Sequence, residues 1–133
     1  MSKIAIDTNI LIYLHEETPS FKTYKANDII RGLPIVSAQV ISEYLNVLKR
    51  VLKAPKLILI EHSISLANIC EIVNINKEIL EKSKGLILRY DFQLFDSIII
   101  ASALEANCSI LYSEDLQHKQ VIENRLTIIN PFL

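Results

Sequence analysis

The chain opens with Lys3-Ile4-Ala5-Ile6-Asp7-Thr8-Asn9-Ile10-Leu11-Ile12-Tyr13, and this stretch limits the possible folds more than any other. Strand-forming residues run straight into an acid, and a second apolar run follows with no glycine or proline between them. The pattern predicts a buried strand that delivers Asp7 to its C-terminal end and passes directly into a helix. Open α/β sheets place their ligand crevices at such strand ends. The function therefore depends on which other side chains converge on Asp7.

Further along, residues 9–14 read as a short helix and Thr18-Pro19-Ser20 as a break. A mixed amphipathic helix over 21–31 stops at Gly32, and 33–37 is a short strand. A helix from about Ala38 to Lys53 carries Val40, Ile41, Tyr44, Leu45, Val47, Leu48, Val51 and Leu52 in one apolar arc. Ala54-Pro55 ends it. Residues 56–70 read as a helix, although Leu57-Ile58-Leu59-Ile60 alone also fits a strand. A strand over 71–75 leads to Asn76, which caps a helix over about 77–88. Residues 89–94 form a loop, and Phe95-Asp96 opens a helix reaching about Ala106. A strand over 108–112, a short helix or turn over 116–124 and a last strand over 126–130 close the chain. Strands alternating with helices predict an α/β sandwich with a mostly parallel sheet of about four to five strands, forming one domain over residues 1–133.

Composition supports this class. Half of the 133 residues are hydrophobic, with two glycines and four prolines, which argues against disorder and against a loop-rich β fold. Cys70 and Cys108 lie far apart in apolar segments and read as buried thiols. His15, His62 and His118 lack metal-ligand spacing. No apolar run approaches a membrane span, and Asp7 interrupts what would be a signal-peptide core, so a soluble cytoplasmic protein is expected. The net charge of −1 conceals a division: residues 22–56 carry seven basic residues and two acids, against seven and thirteen elsewhere. A basic segment beside an acid-rich remainder suits a metal-dependent enzyme acting on a polyanion, although solvated helix faces also carry lysines.

Four acids occupy telling places. Asp7 and Asp115 follow strands, Asp96 opens a helix, and Glu43 sits at the rim of an apolar arc inside a helix. Each has an ordinary explanation. Asp7 and Asp96 can cap helices, Asp115 can cap a turn, and Glu43 can be a surface glutamate. The helix after Asp96 is apolar around nearly its whole circumference, which predicts that it is buried and that Asp96 points inward. All four places can meet at one end of a parallel sheet. Clustered carboxylates repel and raise one another's pKa, and a hard divalent cation such as Mg²⁺ or Mn²⁺ makes the cluster tolerable. A metal held in this way activates water against a phosphoryl group.

At this point the chain resembles the PIN domain family, and more narrowly the VapC-type toxin ribonucleases. The matching pieces are Ile6-Asp7-Thr8-Asn9-Ile10-Leu11, Ser42-Glu43, Phe95-Asp96-Ser97-Ile98-Ile99-Ile100-Ala101-Ser102-Ala103, Leu111-Tyr112-Ser113-Glu114-Asp115-Leu116-Gln117-His118 and Asn130-Pro131-Phe132. The resemblance spans the chain in order. It implies that Asp7, Glu43, Asp96 and Asp115 form the catalytic, metal-holding quartet, with Asn9 and Ser113 supporting the first and last acids. Glu114 is an extra acid beside the site, expected to be solvated. The implied reaction is metal-dependent hydrolysis of RNA to 5′-phosphate and 3′-hydroxyl ends. The implied partners are a small antitoxin protein and a second copy of the chain, as a homodimer. Lys49, Arg50 and Lys53 are expected to contact RNA phosphates. Lys119 stands where close relatives carry glycine, a departure that leaves the acids untouched.

Three other readings remain. One is a PIN nuclease of RNA maturation or decay, outside any toxin–antitoxin pair. Another is a non-catalytic RNA- or protein-binding module, against which the complete set of acids argues. The third is a phosphatase that uses a strand-end Asp as nucleophile, which would want a second Asp where this chain has Asn9.

Overall fold

The computed structural model describes residues 3–133. The expected domain starts at Met1, so its first two residues lie outside the described residues. Strand β1 (Lys3–Ile6) leads into helix α1 (Thr8–Ile12), and a 3-10 turn at Tyr13–His15 follows at once. Helix α2 (Phe21–Arg31), strand β2 (Ile35–Ser37) and helices α3 (Ala38–Leu52) and α4 (Lys56–Ile69) come next. Strand β3 (Glu71–Val73), helices α5 (Lys77–Tyr90) and α6 (Leu94–Glu105), and strands β4 (Cys108–Tyr112), β5 (Val121–Ile122) and β6 (Leu126–Ile129) complete the order.

The strands form one sheet in the order β3-β2-β1-β4-β6-β5. Every pairing is parallel except β5 with β6. The architecture is the α/β sandwich that the alternation of strands and helices predicts. From β1 the chain builds outward to β2 and β3, then returns to place β4 on the other side of β1. The strand order reverses between β1 and β4, and such switch points open a crevice at the C-terminal strand ends. Ile6 pairs with Tyr112, so Asp7 and Ser113 leave the sheet side by side.

Burial follows the apolar pattern. Ser97 to Leu104 of α6 are all buried, as its continuous apolar surface requires. Strand residues Ile6, Val36, Leu111 and Ile128 and helix residues Ile10, Leu11, Val40, Tyr44 and Leu48 join it in the core. Leu57–Ile60 resolves as helix, within α4. Cys70 and Cys108 are buried free thiols, and burial pushes the Cys108 thiol up to about 11.

The structure corrects several expectations. The sheet has six strands rather than four or five, because Val121–Ile122 pairs with β6 within the stretch expected to be a helix or turn. That reversal uses left-handed backbone at Glu123 and Asn124 (φ 52° and 55°), with no glycine to announce it. Helix α5 runs on to Tyr90 and stops at Asp91, again left-handed. In α3, Val51 and Leu52 leave the apolar arc and are exposed at 64% and 39%. The helix ends there on Lys53 in the left-handed conformation, before it reaches more core.

Candidate active site

Asp7 caps α1 with extended backbone, and its Oδ1 accepts a hydrogen bond from the Thr8 amide at 2.7 Å. The ordinary capping explanation is thus true, but it uses only one oxygen. Oδ2 accepts a hydrogen bond from the Ser113 hydroxyl at 2.7 Å across the β1/β4 switch point. Asp7 is buried. Burial raises its pKa, the bonds from Ser113 and Thr8 pull it down, and the neighbouring Asp96 and Asp115 charges push it up again; the net shift is upward.

Glu43 projects from the middle of α3, where no cap is needed, and its Oε2 accepts the Thr8 hydroxyl at 3.2 Å. Its pKa is raised by burial first, then by the charge of Asp7, with Asp96 and Asp115 adding to it. Asp96 lies in the first turn of α6, behind the N-cap Gln93. It does not cap its helix, and no side-chain hydrogen bond among the described residues engages its carboxylate. Its pKa is also raised, by burial and then by Asp115. Asp115 does not cap a turn either. The Ser113 hydroxyl accepts the Asp115 and Leu116 amides at 3.2 and 3.3 Å, and Asp115 Oδ2 accepts from Asn9 Nδ2 at 3.1 Å.

These contacts join Asp7, Glu43 and Asp115 to both supporting residues, and Asp96 lies close enough for its charge to act on Asp7 and Glu43 and to feel that of Asp115. Thr8, Asn9 and Ser113 connect the first three acids, since Asn9 Oδ1 also accepts the Glu114 amide at 3.3 Å. None of the four acids takes part in an ion pair among the described residues. As the side chains stand, no three His, Cys, Asp or Glu residues among those described are close enough to grip a metal. The donor chemistry nevertheless fits a hard divalent cation: carboxylate oxygens that raise one another's proton affinity and have no protein counter-charge.

Glu114 is only partly exposed and is engaged by protein partners, not freely solvated as expected. Lys22 Nζ donates to its Oε2 and the Tyr13 hydroxyl to its Oε1, both at 2.5 Å, and Lys22 also donates to the Tyr13 oxygen at 3.1 Å. Burial pushes the Glu114 carboxyl up, but these two partners outweigh it and hold the pKa below its ordinary value. Lys22 therefore faces an acid and is not free to meet a phosphate. Lys49, Arg50 and Lys53 are exposed and belong to no ion pair among the described residues.

Two residues of this constellation, Thr8 and Tyr13, carry no role in the sequence reading, and Lys22 enters it only within the basic segment 22–56 expected to meet phosphates, where the structure pairs it with Glu114 instead. Tyr13 had a usable signal, since it lies four residues after Asn9 and so near it on the same helical face. Lys22 had none, because its partner is 92 positions away.

A crevice at the switch point of a parallel sheet, with Glu43 and Asp115 in its lining, places the chain among the open-sheet α/β proteins. The PIN domain family model matches residues 4–124. The chain belongs to the PIN domain family. No curated protein sequence matches it significantly. Among solved structures, it is similar to a toxin–antitoxin complex from Klebsiella pneumoniae, with a TM-score of 0.72 and 22% identity over 98% of each chain. It is also similar to VapC20 of Mycobacterium tuberculosis, a toxin that cleaves the sarcin-ricin loop, with a TM-score of 0.68 and 16% identity over 85% of this chain and 90% of that one. VapBC2 of Rickettsia felis, bound to a fragment of its promoter DNA, gives 0.68 and 15% over 96% and 98%. At these identities the likeness is one of fold. No helix among the described residues is long and apolar enough to cross a membrane.

Proposed function

We propose that this chain is a divalent-metal-dependent endoribonuclease, the toxin of a toxin–antitoxin pair. The observation that carries the reading is a set of carboxylates with no cation paired to them among the described residues: burial and then mutual repulsion raise the proton affinity of Asp7, Glu43 and Asp96, and Asp115 adds its charge to each of their fields. These four residues would hold Mg²⁺ or Mn²⁺, which when bound supplies an activated water and neutralises charge at a phosphoryl group. The protein's own part is orientation. Ser113 and the Thr8 amide fix the two oxygens of Asp7, the Thr8 hydroxyl steers Glu43, and Asn9 steers Asp115. Lys49, Arg50 and Lys53, which belong to no ion pair among the described residues, would take neighbouring phosphates.

Exposed apolar surface supports an antitoxin partner. On α4, Leu57, Ile58, Ile60 and Ile64 are 64%, 42%, 46% and 54% exposed, and Val51 at the end of α3 is exposed as well. An apolar hollow of about 370 Å³ between α3, α4 and β3 adjoins them, lined by Ile41, Ile64, Ala67 and Ile72. Exposed contiguous apolar surface marks an interaction site, and a partner helix fits such a groove. The related fold from Klebsiella pneumoniae comes from a toxin–antitoxin complex. A homodimer, acting in the cytoplasm, completes the reading.

The test is cleavage of end-labelled total RNA by the purified protein with Mn²⁺ or EDTA, beside the Asp7→Asn and Asp96→Asn variants. The expected result is discrete fragments with 5′-phosphate ends that require both metal and each acid. An Asp96→Asn protein with unchanged turnover would overturn the assignment.

A further inference from the structure

A hollow of about 470 Å³ opens directly beside the acids. Glu43 and Asp115 line it, together with the apolar surface of Ile12, Tyr13 and Val47 and the amide of Asn46. We propose that this hollow is a base-reading subsite for the nucleotide that adjoins the cut phosphate, and that Asn46 selects the base. The inference rests on the endoribonuclease reading and adds the determinant of specificity to it.

Two amides line the hollow, and they differ in what they have left to offer. Asn9 has both ends engaged, its nitrogen on Asp115 and its oxygen on the Glu114 amide. Asn46 is exposed, and no side-chain hydrogen bond among the described residues uses it. It presents a donor and an acceptor side by side to the hollow. A base edge with an adjacent donor and acceptor pairs with such an amide in two bonds, and a bidentate pair of this kind discriminates against the wrong base. Single-stranded RNA exposes those edges when its bases are splayed out.

Shape and order agree. Small-molecule sites span about 300–1,000 Å³ and are mostly apolar with few polar groups, a description this hollow meets. Its apolar flank offers surface to a flat ring. Tyr13 is held in place by Glu114 and Lys22 through its hydroxyl and by Phe132 edge-on at 5.0 Å, so its ring is a fixed wall.

Helix α3 adds a ruler. At about 100° per residue, Glu43, Asn46, Val47 and Arg50 fall within an arc of about 100°. Along the axis, Asn46 lies about 4.5 Å and Arg50 about 10 Å beyond Glu43. The face thus presents acid, amide and free cation in that order, which matches reacting phosphate, base and next phosphate along a strand. A peptide side chain could fill an apolar hollow, but it would have no use for an adjoining carboxylate cluster followed by a cation.

The experiment is Mn²⁺-dependent cleavage of a randomised RNA pool, with the fragment ends sequenced, for the unaltered protein and for Asn46→Ala, Asn46→Asp and Arg50→Gln. The expected result is a base preference at one nucleotide flanking the cut that falls at least fivefold in Asn46→Ala. Asn46→Asp, which keeps acceptors but loses the donor, should change which base is preferred. Arg50→Gln should lower cleavage of all sequences alike. A second readout is independent of cleavage. The four nucleoside 5′-monophosphates are titrated into isotope-labelled protein, and the Asn46 side-chain amide signal should move with one base far more than with the others. If the unaltered protein cuts but the base preference survives both Asn46 substitutions, the subsite is overturned while the nuclease stands. The subsite is likewise overturned if no nucleotide moves the amide, or if Asn46→Ala weakens only the hold on a co-purified protein. If the unaltered protein cuts nothing, the endoribonuclease reading itself has failed, and the subsite with it.

Discussion

Replacing Glu43 by Gln should stabilise the metal-free protein. Its carboxylate is partly buried, and Asp7, Asp96 and Asp115 all repel it. Gln keeps the shape, and its oxygen can still accept the Thr8 hydroxyl. The residue sits well inside α3, away from the helix ends, so no dipole term complicates the exchange. Relief of one unfavourable charge commonly gives about 0.5–2 kcal/mol. Against it stands the weaker hydrogen bond to a neutral acceptor; at 3.2 Å that loss is about 0.5 kcal/mol. A net gain of about 1 kcal/mol is expected. For 133 residues the unfolding entropy is about 0.28 kcal/mol/K, so Tm should rise by about 3–4 °C.

The sign of the pH dependence follows from the raised pKa of Glu43 in the folded state. A folded carboxyl with a raised pKa contributes stability at low pH that is lost as pH rises through its folded pKa. The advantage of Gln should therefore be full at neutral pH and vanish on acidification below the carboxylate range. Saturating Mn²⁺ should reverse the order, since a ligand at 100 times its Kd adds about 2.7 kcal/mol, or about 10 °C, to the protein that binds it. The assay is thermal unfolding by circular dichroism at low salt, in EDTA and in Mn²⁺, from pH 4 to 7.5. A Gln variant less stable than the parent in EDTA at pH 7 would refute the like-charge argument. A variant that gains as much from Mn²⁺ as the parent would refute the role of Glu43 in holding metal.

Two further outcomes follow from single contacts. Ser113→Ala removes the buried hydroxyl that donates to Asp7 and should cost about 1–3 kcal/mol in urea unfolding at neutral pH. Because that bond favours the charged form of Asp7, the loss should shrink as Asp7 is protonated at low pH; a pH-independent loss would mean that the bond is not to a carboxylate. Lys119 has a left-handed backbone, φ 70°, which a residue with a Cβ adopts at a cost. Lys119→Gly should relieve about 1–2 kcal/mol of that conformational cost, less the entropy glycine adds to the unfolded chain, for a net gain of about 0.5–1 kcal/mol in the same titration; a destabilised variant would refute it.

Much of this molecule is determined locally. An unbroken apolar strand running into Asp7, and alternation of strand and helix after it, commit the chain to a parallel α/β sheet. The continuous apolar surface of α6 commits that helix to the interior, because periodicity reports burial directly. The acids, too, were legible by residue type, Asp7, Asp96 and Asp115 by their places at element ends and Glu43 by its place at the rim of an apolar arc inside a helix.

Other features depend on contacts between distant residues, for which a sequence carries no local signal. Strand β5 escaped because its two residues are too few to show periodicity and its turn uses Glu123 and Asn124 in place of glycine. The capping explanation of Asp96 could be set aside only when Gln93 proved to be the cap. Glu114 looked free until Lys22 and Tyr13 were brought against it. The sequence by itself determined which residues could carry the chemistry. Only the tertiary structure, by returning the chain to place β4 beside β1, decided which of them share one field, and which cations remained free of it.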